Sequence, residues 1–372
     1  MRIGVDAHRL AGQPLGVGRY LEYLFSHWAS MLEPSEHVTL FTREPVAPGR
    51  LPTCDSVTMQ TLRPRLTGLT WQSFVLARRA SDLDVLFCPS YAAPLWYAGR
   101  TVVAIHSMNE VHSAAHPWWY RHTYSRLYRR SALRAARVIV PAEVTRRDLV
   151  THYGIEDRKV VIAPQGAPAS FAPTHDDQLI AATRRRLLGS DRPYVLFVGK
   201  LSQRRNIPAL MAGFAMFKKQ HDLPHALVLF GPNHLNLPID RLADDLGIRD
   251  SFLQTDGRVQ NHDELVPIYG AADVFVHPSS YEGFSMTTVE ALACGVPVIT
   301  VDRAALKEVV DGCAHLVAEP TPEALADALW EVLRDPQYRK ELSGRSLSRS
   351  KLFSWEQCAR ITLDILRKVG RG

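Results

Sequence analysis

The chain has 372 residues, of which 46% are hydrophobic, 22% charged and 9% aromatic. This composition is typical of a globular enzyme, and the length exceeds one ordinary hydrophobic core, which favours two domains. The formal net charge of +6 is concentrated between Arg121 and Asp148, where eight arginines stand against two acidic residues. The rest of the chain is balanced, which argues against a nucleic-acid-binding protein with a broad basic face.

Features that would direct the chain to a membrane or an oxidising compartment are missing from the sequence. There is no run of about eighteen apolar residues, so no membrane-spanning helix is predicted. The N-terminal residues MRIGVDAHRL lack the apolar core of a signal peptide. The five cysteines are scattered without a CxxC pair, which disfavours a disulfide framework or a structural zinc site. These observations predict a cytoplasmic protein.

Short apolar runs alternate with amphipathic helical patterns through the first half of the chain. Six strands are predicted there, at residues 2–6, 37–41, 84–87, 101–105, 137–140 and 159–162. Between the first two strands, apolar residues spaced three and four apart from Tyr20 to Met31 predict a helix with one buried face. A second, basic helix is predicted over residues 120–137, directly after Trp118 and Trp119.

The basic helix has two interpretations. Four of its arginines form a stripe along one face: Arg126, Arg130, Arg134 and Arg137. Together with the two tryptophans, the segment 121–137 would suit peripheral contact with the inner face of a membrane, or an anionic lipid-linked acceptor. The alternative is a helix packed on the core, with its arginines in solvent.

The second half repeats the alternation of strands and helices. Six strands are predicted, at residues 194–198, 226–230, 251–254, 273–276, 297–300 and 314–317. Helical patterns follow most of them, for example at residues 207–220 and 286–294. Alternation of this kind implies parallel sheets joined by right-handed crossovers.

A proline-interrupted stretch separates the two halves. Residues 163–178 contain Pro164, Pro168 and Pro173 and show little periodicity, which predicts a linker. A helical pattern near the C-terminus is predicted to pack back on the first half. The resulting domain boundaries are 1–168 for an N-terminal domain, 169–192 for the linker, 193–352 for a C-terminal domain and 353–372 for the returning helix.

The most informative segment runs from Asp273 to Val298. A predicted buried strand ends at Pro278, a loop carrying Glu282 follows, and a helix begins near Met286. Backbone amides of the loop and of the first helical turn would form an anion site without any cationic side chain. Glu282 and a second glutamate eight residues later would hydrogen-bond sugar hydroxyls. The alternative is that Glu282 is a charged residue of a surface loop and that Glu290 lies on a solvated helix face, neither with a ligand.

Three further elements follow predicted strands. Lys200 and Arg205 lie in a predicted loop, where their positive charges would neutralise a leaving diphosphate. The alternative is that this basic loop is solvated and binds no ligand. Gly16 and Gly18 predict a loop that faces a phosphate, or else a turn without a ligand. The dinucleotide-binding motif of dehydrogenases has a third glycine, and this chain has Leu21 in its place, which argues against a dehydrogenase. His106 ends a strand and is either near a reacting group or structural.

These elements together resemble the retaining GT-B glycosyltransferases of family 4. The resemblance rests on Glu282-Gly-Phe-Ser followed by Glu290-Ala-Leu-Ala-Cys-Gly-Val-Pro-Val, and on the order of the glycine loop, His106 and the Gly199 element before it. The family ordinarily has lysine where this chain has Arg205, and the change keeps the charge but alters its geometry. The resemblance implies an α/β fold of two Rossmann-like domains whose parallel sheets face each other across a cleft.

The resemblance also implies site residues. Glu282 would contact the donor sugar, Glu290 the ribose, and the backbone near Val259 the nucleobase. The catalytic residues so implied are His106, Lys200, Arg205 and Glu282. The donor-binding residues so implied are Gly16, Gly18, Gly199, Val259, Gly283, Phe284, Ser285, Met286, Thr287 and Glu290. No metal and no cofactor are expected, because no Asp-x-Asp clamp is apparent.

The implied function is transfer of a hexose, with retention, from a nucleotide-sugar to a saccharide or lipid-linked saccharide acceptor of a surface polysaccharide. The N-terminal opening and the Arg-Arg-Asn element resemble mannosyltransferases most, so GDP-mannose is the expected donor. UDP-glucose or UDP-N-acetylglucosamine is the alternative donor. The other hypotheses are a nucleotide-sugar epimerase and a non-catalytic protein that retains the fold.

Overall fold

The buried apolar runs form strands that divide into two parallel sheets, one in each of two units. The computed structural model describes residues 1–12, 16–112, 118–259 and 261–372, with Tyr120 described by its backbone alone. The first unit comprises Met1–Gln165 and Ser354–Gly372, and the second comprises Gly166–Phe353. Both are of the Rossmann-like α/β type that the sequence predicts.

The sheet of the first unit has seven strands in the order β3-β2-β1-β4-β5-β6-β7, all parallel. Its strands are β1 Arg2–Asp6, β2 His37–Thr42, β3 Val57–Thr61, β4 Val85–Cys88, β5 Thr101–Ala104, β6 Arg137–Val140 and β7 Val160–Ile162. Only β3 is absent from the sequence prediction. It is an edge strand whose side chains are mostly exposed, so it carries no apolar run.

Helices connect these strands. They are α1 Val17–Met31, α2 Gly68–Thr70, α3 Ala77–Arg79, α4 Asn109–His112, α5 Trp118–Arg134 and α6 Glu143–Asp148, with π-helical segments Trp71–Leu76 and Leu149–Tyr153. The apolar face of α1 is buried as predicted, with Trp28 completely inaccessible to solvent. None of the helices in the described ranges is long and apolar enough to cross a membrane.

The prediction for the basic helix is wrong at its C-terminal end. Helix α5 ends at Arg134, and Arg137 is the first residue of β6. Arg134 is exposed, and its guanidinium donates hydrogen bonds to the carbonyl oxygens of Leu95 and Tyr97. Arg126 and Arg130 remain exposed.

The sheet of the second unit has six parallel strands in the order β10-β9-β8-β11-β12-β13. They are β8 Tyr194–Val198, β9 Ala226–Phe230, β10 Phe252–Thr255, β11 Val274–His277, β12 Val298–Val301 and β13 His315–Val317. Each lies within one residue of its predicted position. The four inner strands β8, β9, β11 and β12 are fully buried, and strands covered on both faces have continuous apolar sequences. Side chains such as Phe197, Phe214 and Leu229 form the core around them.

The helices of the second unit include one that the sequence analysis places in a linker. They are α7 Asp177–Leu188, α8 Ile207–Gln220, α9 Ile239–Asp245, α10 Leu265–Gly270, α11 Met286–Ala293, α12 Ala304–Val310, α13 Pro322–Arg334 and α14 Pro336–Ser350. Residues 169–192 therefore contain α7 and belong to the second unit, and the chain enters that unit at Gly166. Asp176 caps α7 by accepting hydrogen bonds from the amides of Gln178 and Leu179.

The last helix, α15 Trp355–Arg371, belongs to the first unit. The indole of Trp28 donates a hydrogen bond of 2.8 Å to the carbonyl oxygen of Ala359. Arg367 forms an ion pair of 2.7 Å with the buried carboxylate of Glu36. These contacts explain why a C-terminal segment is integrated into an N-terminal domain. All five cysteines are free.

Candidate functional site

Two loops of the second unit meet because the strands before them are neighbours. Strands β8 and β11 pair directly, so the residues after Val198 and after His277 emerge at the same edge of the sheet. The side-chain amide of Asn206 donates a 2.7 Å hydrogen bond to the carbonyl oxygen of Pro278. The backbone amide of Ser280 donates one of 2.9 Å to the carbonyl oxygen of Arg204. This edge carries most of the predicted donor-site residues.

The carboxylate of Glu282 is the centre of this edge. Its Oε1 atom lies 2.9 Å from Nη1 of Arg204 and 3.2 Å from Nε of Arg205. The same oxygen accepts a hydrogen bond of 3.1 Å from the Ser279 hydroxyl and lies 3.3 Å from Nε2 of His277. Within the described residues these four contacts all fall on the same carboxylate oxygen, Oε1.

The environment keeps Glu282 ionised. Burial alone would raise the pKa of Glu282, but the guanidinium groups of Arg204 and Arg205 outweigh burial and hold its pKa well below the usual carboxyl range. Burial lowers the pKa of His277, so its imidazole is neutral at pH 7 and donates through Nε2–H. Its ring stacks on Phe197 and Phe275 at centroid distances of 5.6 and 5.9 Å. Glu282 is therefore a fixed hydrogen-bond acceptor and not a proton donor.

Arg205 is positioned by a glycine. Its Nη1 donates a 2.9 Å hydrogen bond to the carbonyl oxygen of Lys200, while its Nε faces Glu282. Gly199 has φ of 137°, and a Cβ atom there would lie 2.5 Å from Nη1 of Arg205. Any larger residue at position 199 would displace the guanidinium. Lys200 is exposed, which leaves its ammonium group accessible to an anion.

The loops after β8, β9 and β10 approach one another through glycines. A Cβ atom on Gly231 would overlap the carbonyl oxygen of Gly199, and one on Gly257 would lie 2.6 Å from Cα of Gly231. Val259, the residue predicted to lie near the nucleobase, follows two positions later and is half-buried. The contact of Val259 with a nucleobase stays a prediction.

Helix α11 begins at the same edge. Its N-cap, Ser285, has φ of 98° and ψ of 82°, a strained conformation for a residue other than glycine, and its hydroxyl accepts from the amide of Thr288. The amides of Met286 and Thr287 have no partner inside the helix, as at any helix start. The side chain of Phe284 is buried edge-on against Phe353, so only its backbone is available to a ligand.

Glu290 is buried and paired with protein groups. The hydroxyl of Tyr269 donates a 2.9 Å hydrogen bond to Oε2, and Nε2 of His262 lies 3.3 Å from Oε1. A ribose hydroxyl would therefore share this carboxylate with Tyr269 and His262. Neither partner is apparent from the sequence, because each is about twenty or more positions away along the chain.

His106 belongs to the first unit, where both of its ring nitrogens are engaged. Nε2 lies 2.9 Å from the carbonyl oxygen of Pro89, which can only accept, so Nε2 carries the proton. Nδ1 then accepts from the side-chain amide of Gln165 at 3.0 Å. Burial lowers the pKa of His106 to about 4. The histidine is neutral at pH 7 and fixed in orientation.

Gly16 and Gly18 also lie in the first unit. Gly16 precedes α1 with φ of 52° and ψ of −106°, and its carbonyl oxygen accepts from the amide of Tyr20. Gly18 is buried in the first turn of α1. The two glycines thus form the turn that begins α1. That this turn faces a phosphate stays a prediction.

Four residues at this edge are not among the site residues that the sequence implies: Arg204, His277, Ser279 and Gly231. Arg204 is adjacent to the chosen Arg205, and nothing in the local pattern separates their roles. His277 is the last residue of a buried strand, and its position in the sequence gives no sign of a contact with Glu282. The pairing of β8 with β11 brings Arg204 to Glu282, whereas His277 and Ser279 lie five and three positions before Glu282 in the chain.

Known sequences match the chain along most of its length. The sequence profile described as "Glycosyltransferase Family 4" matches residues 15–171, and the one described as "Glycosyl transferases group 1" matches residues 181–348.

Curated relatives include the Escherichia coli O-antigen chain mannosyltransferase B, which is 27% identical over 61% of this chain and 59% of the relative. The D-inositol 3-phosphate glycosyltransferase of Kineococcus radiotolerans is 30% identical over 63% and 58%. The MMP alpha-(1->4)-mannosyltransferase of Mycolicibacterium hassiacum is 27% identical over 70% and 62%. The chain thus spans less than two thirds of the length of these relatives.

Solved structures share the fold over the full chain. The sucrose-phosphate synthase of Thermosynechococcus elongatus superimposes with a TM-score of 0.81 at 22% identity, covering 99% of this chain and 98% of that one. The Anabaena protein Alr3699/HepE in complex with UDP-glucose gives a TM-score of 0.77 at 17% identity, covering 99% of both chains.

Proposed function

The chain belongs to the GT-B glycosyltransferases of family 4, and on that premise we propose that it transfers a hexose, with retention, from a nucleotide-sugar to a saccharide or lipid-linked saccharide acceptor of a surface polysaccharide. The single observation that carries the proposal is the Glu282 carboxylate. It lies before the N-terminus of α11 and is fixed as an anion by Arg204 and Arg205.

A sugar bound at this edge would donate hydroxyl hydrogen bonds to Glu282. The diphosphate would accept from the amides of Met286 and Thr287, where the helix dipole favours negative charge. Lys200 and Arg205 would stabilise the charge that grows on the departing phosphate. Because these groups are cations and amides of the chain itself, we propose that transfer needs no metal ion.

We propose same-face substitution as the mechanism. The bond between C1 and the phosphate oxygen breaks, the acceptor oxygen bonds to C1 from the same side, and the departing phosphate takes the acceptor proton. Glu282 does not act as the base, because its pKa lies well below the usual range. His106 is not proposed to move the proton, because both of its ring nitrogens are engaged by Pro89 and Gln165.

GDP-mannose is the proposed donor. Two of the relatives carry the word mannosyltransferase in their names, which supports a mannose donor for this chain. Val259 has an apolar side chain, which does not distinguish one nucleobase from another. A UDP-sugar is the competing donor, in view of the UDP-glucose complex of the structurally similar Anabaena protein.

The acceptor would use the first unit. A cavity of about 250 Å³ there is lined by polar and aromatic side chains, including His8, Gln72, Ser90, Tyr124 and Tyr128. Aromatic faces and hydrogen-bonding groups of this kind suit a saccharide. Asp6, buried beneath this cavity, accepts from Nδ1 of His8 at 2.7 Å and fixes that ring.

Peripheral contact with an anionic membrane surface is part of the proposal. Trp118 and Trp119 are 73% and 55% exposed at the start of α5, and Arg126 and Arg130 are exposed further along it. Exposed tryptophans beside arginines suit a lipid headgroup region. Such contact would bring the enzyme to a lipid-linked acceptor.

The test is the unfolding midpoint of the purified protein with GDP, UDP and ADP at matched concentrations. A nucleotide at about one hundred times its dissociation constant adds about 2.7 kcal/mol to the free energy of unfolding. Selective stabilisation by GDP supports the mannose donor, and selective stabilisation by UDP replaces it with a UDP-sugar. Stabilisation by none of the three counts against the donor site at Glu282.

Turnover then separates the enzymatic hypotheses. Incubation with the preferred nucleotide-sugar and an acceptor should give a product whose anomeric configuration equals that of the donor. Release of an isomerised nucleotide-sugar would indicate the epimerase, and binding without turnover would indicate a non-catalytic protein. An inverted product would contradict same-face substitution.

A further inference from the structure

Three side chains of types that bind metal ions meet in the first unit, and none of them is assigned a role above. His112 is the last residue of α4, Asp148 is the last residue of α6, and His152 lies in the π-helical segment Leu149–Tyr153. Nε2 of His112 lies 2.9 Å from Oδ2 of Asp148. Each residue offers one ligand atom, and these atoms all lie within 4.8 Å of one another.

The backbone explains why they meet. Asp148 and His152 are four residues apart in a continuous helical run, so their side chains share one face. Strands β5 and β6 are paired, which makes α4 and α6 neighbours after them. The rings of His112 and His152 approach edge to face, with centroids 5.3 Å apart.

We propose that His112, Asp148 and His152 form a binding site for a first-row transition cation, with Zn²⁺ as the principal candidate. Two imidazoles and one carboxylate are a ligand set for Zn²⁺, Co²⁺ or Ni²⁺, whereas Mg²⁺ prefers oxygen ligands. In a tetrahedral zinc site, bonds of about 2.0–2.2 Å place ligand atoms about 3.3–3.6 Å apart. The ligand atoms of this cluster, all within 4.8 Å of one another, would move closer together around an ion.

An ordinary ion pair accounts for only part of this arrangement. It explains the contact between His112 and Asp148, but not the second imidazole beside them. The side chains of His112 and Asp148 are 30% and 13% exposed, so an ion can reach them from solvent. A bound ion would cross-link the C-terminal end of α4 to the helical run 143–153.

The test is calorimetric titration of the chelator-treated full-length protein with ZnCl₂. We expect one high-affinity ion per chain, with affinity reduced at least about tenfold in each of H112A, D148A and H152A. The matched control is H175A, which removes an exposed histidine outside the cluster and should leave affinity unchanged. Zinc binding that all three variants retain, or no saturable binding by the wild type, overturns the proposal.

A second measurement uses only the wild-type protein, so it tests the proposal even if the variants fold poorly. Co²⁺ added to the wild-type protein should give the visible absorption of a four-coordinate ion with imidazole ligands, and stoichiometric Zn²⁺ should abolish it. An octahedral spectrum unchanged by Zn²⁺ contradicts the proposal. Both readouts are independent of nucleotide-sugar and acceptor, so their outcome is separate from that of the proposed transferase activity.

Discussion

Nε of Arg205 lies 3.2 Å from Oε1 of Glu282, so the cation proposed for the diphosphate and the carboxylate proposed for the sugar contact each other directly. Arg204 reaches the same oxygen at 2.9 Å. Two guanidinium groups around one carboxylate leave a net positive charge at the edge of the sheet. A nucleotide diphosphate would complete the charge balance of this cluster.

Replacing Glu282 tests this cluster most directly. E282Q keeps the shape but leaves Arg204 and Arg205 without their anion, and it removes the charged acceptor for sugar hydroxyls. We expect kcat/KM to fall by about 100-fold or more, on the order of 3 kcal/mol in the transition state. The measurement is steady-state transfer, with far-UV circular dichroism to check folding.

The matched control for E282Q is E319Q, because Glu319 forms an exposed ion pair with Arg303. Its loss should change stability by about 0.5 kcal/mol or less and leave transfer intact. E282Q with transfer within about threefold of wild type would remove Glu282 from the site.

The buried neutral histidines should make stability depend on pH. Burial lowers the pKa of His106 to about 4, against about 6.5 in an unfolded chain. Between these values the unfolded chain binds a proton that the folded chain does not. Stability from His106 is therefore present above pH 6.5 and is lost, by up to about 1.4 kcal/mol per pH unit, as the pH falls toward 4.

Urea unfolding at pH 6.5 and pH 5 checks this dependence. H106Q retains a donor for Pro89 and an acceptor for Gln165 but does not titrate, so its stability should fall less than that of the wild type over this interval. H175Q, at an exposed histidine, should behave as the wild type does. Equal losses in H106Q and wild type would show that His106 titrates normally.

Gly199 should be essential for the position of Arg205. In G199A the new Cβ would lie 2.5 Å from Nη1 of Arg205, and the φ of 137° would be strained as well. We expect a loss of stability larger than the roughly 1–2 kcal/mol of backbone strain alone, together with a large fall in kcat. Unfolding free energy and transfer rate are both measured.

Gly312 provides the control for backbone strain. It has φ of 72°, and a Cβ atom there would meet nothing within 4 Å. G312A should therefore lose about 1–2 kcal/mol of stability and keep its transfer rate. If G199A and G312A had the same unfolding free energy and the same transfer rate, the close approach of Gly199 to Arg205 would not matter for function.

The proposed membrane contact depends on the exposed tryptophans. The double variant W118A/W119A should bind vesicles of anionic lipid about tenfold more weakly, with little change in transfer to a water-soluble acceptor. Co-sedimentation with vesicles measures binding, and added salt should weaken it through screening of the arginines. W96A is the control, since Trp96 is 61% exposed but packs against Phe74. Undiminished binding by the double variant would refute the contact.

The pattern of the sequence was sufficient for most of the fold. Strands such as β8, β9 and β11 are buried on both faces, and only continuous apolar runs satisfy that environment. The pattern failed where burial was weak, as in β3 at the sheet edge. It also failed at α7, where the prolines before the helix obscured the capping signal of Asp176.

Within the site, the sequence by itself located the loop and helix around Glu282, because a glycine-containing turn between a buried strand and a helix is a local feature. The tertiary structure alone decided what surrounds that carboxylate. Arg204 and Glu282 meet because β8 and β11 pair in the sheet, although 78 positions separate them in the chain. The ionisation of Glu282 likewise follows from those neighbours, since burial and Coulomb interactions depend on distance in space and not on position in the sequence.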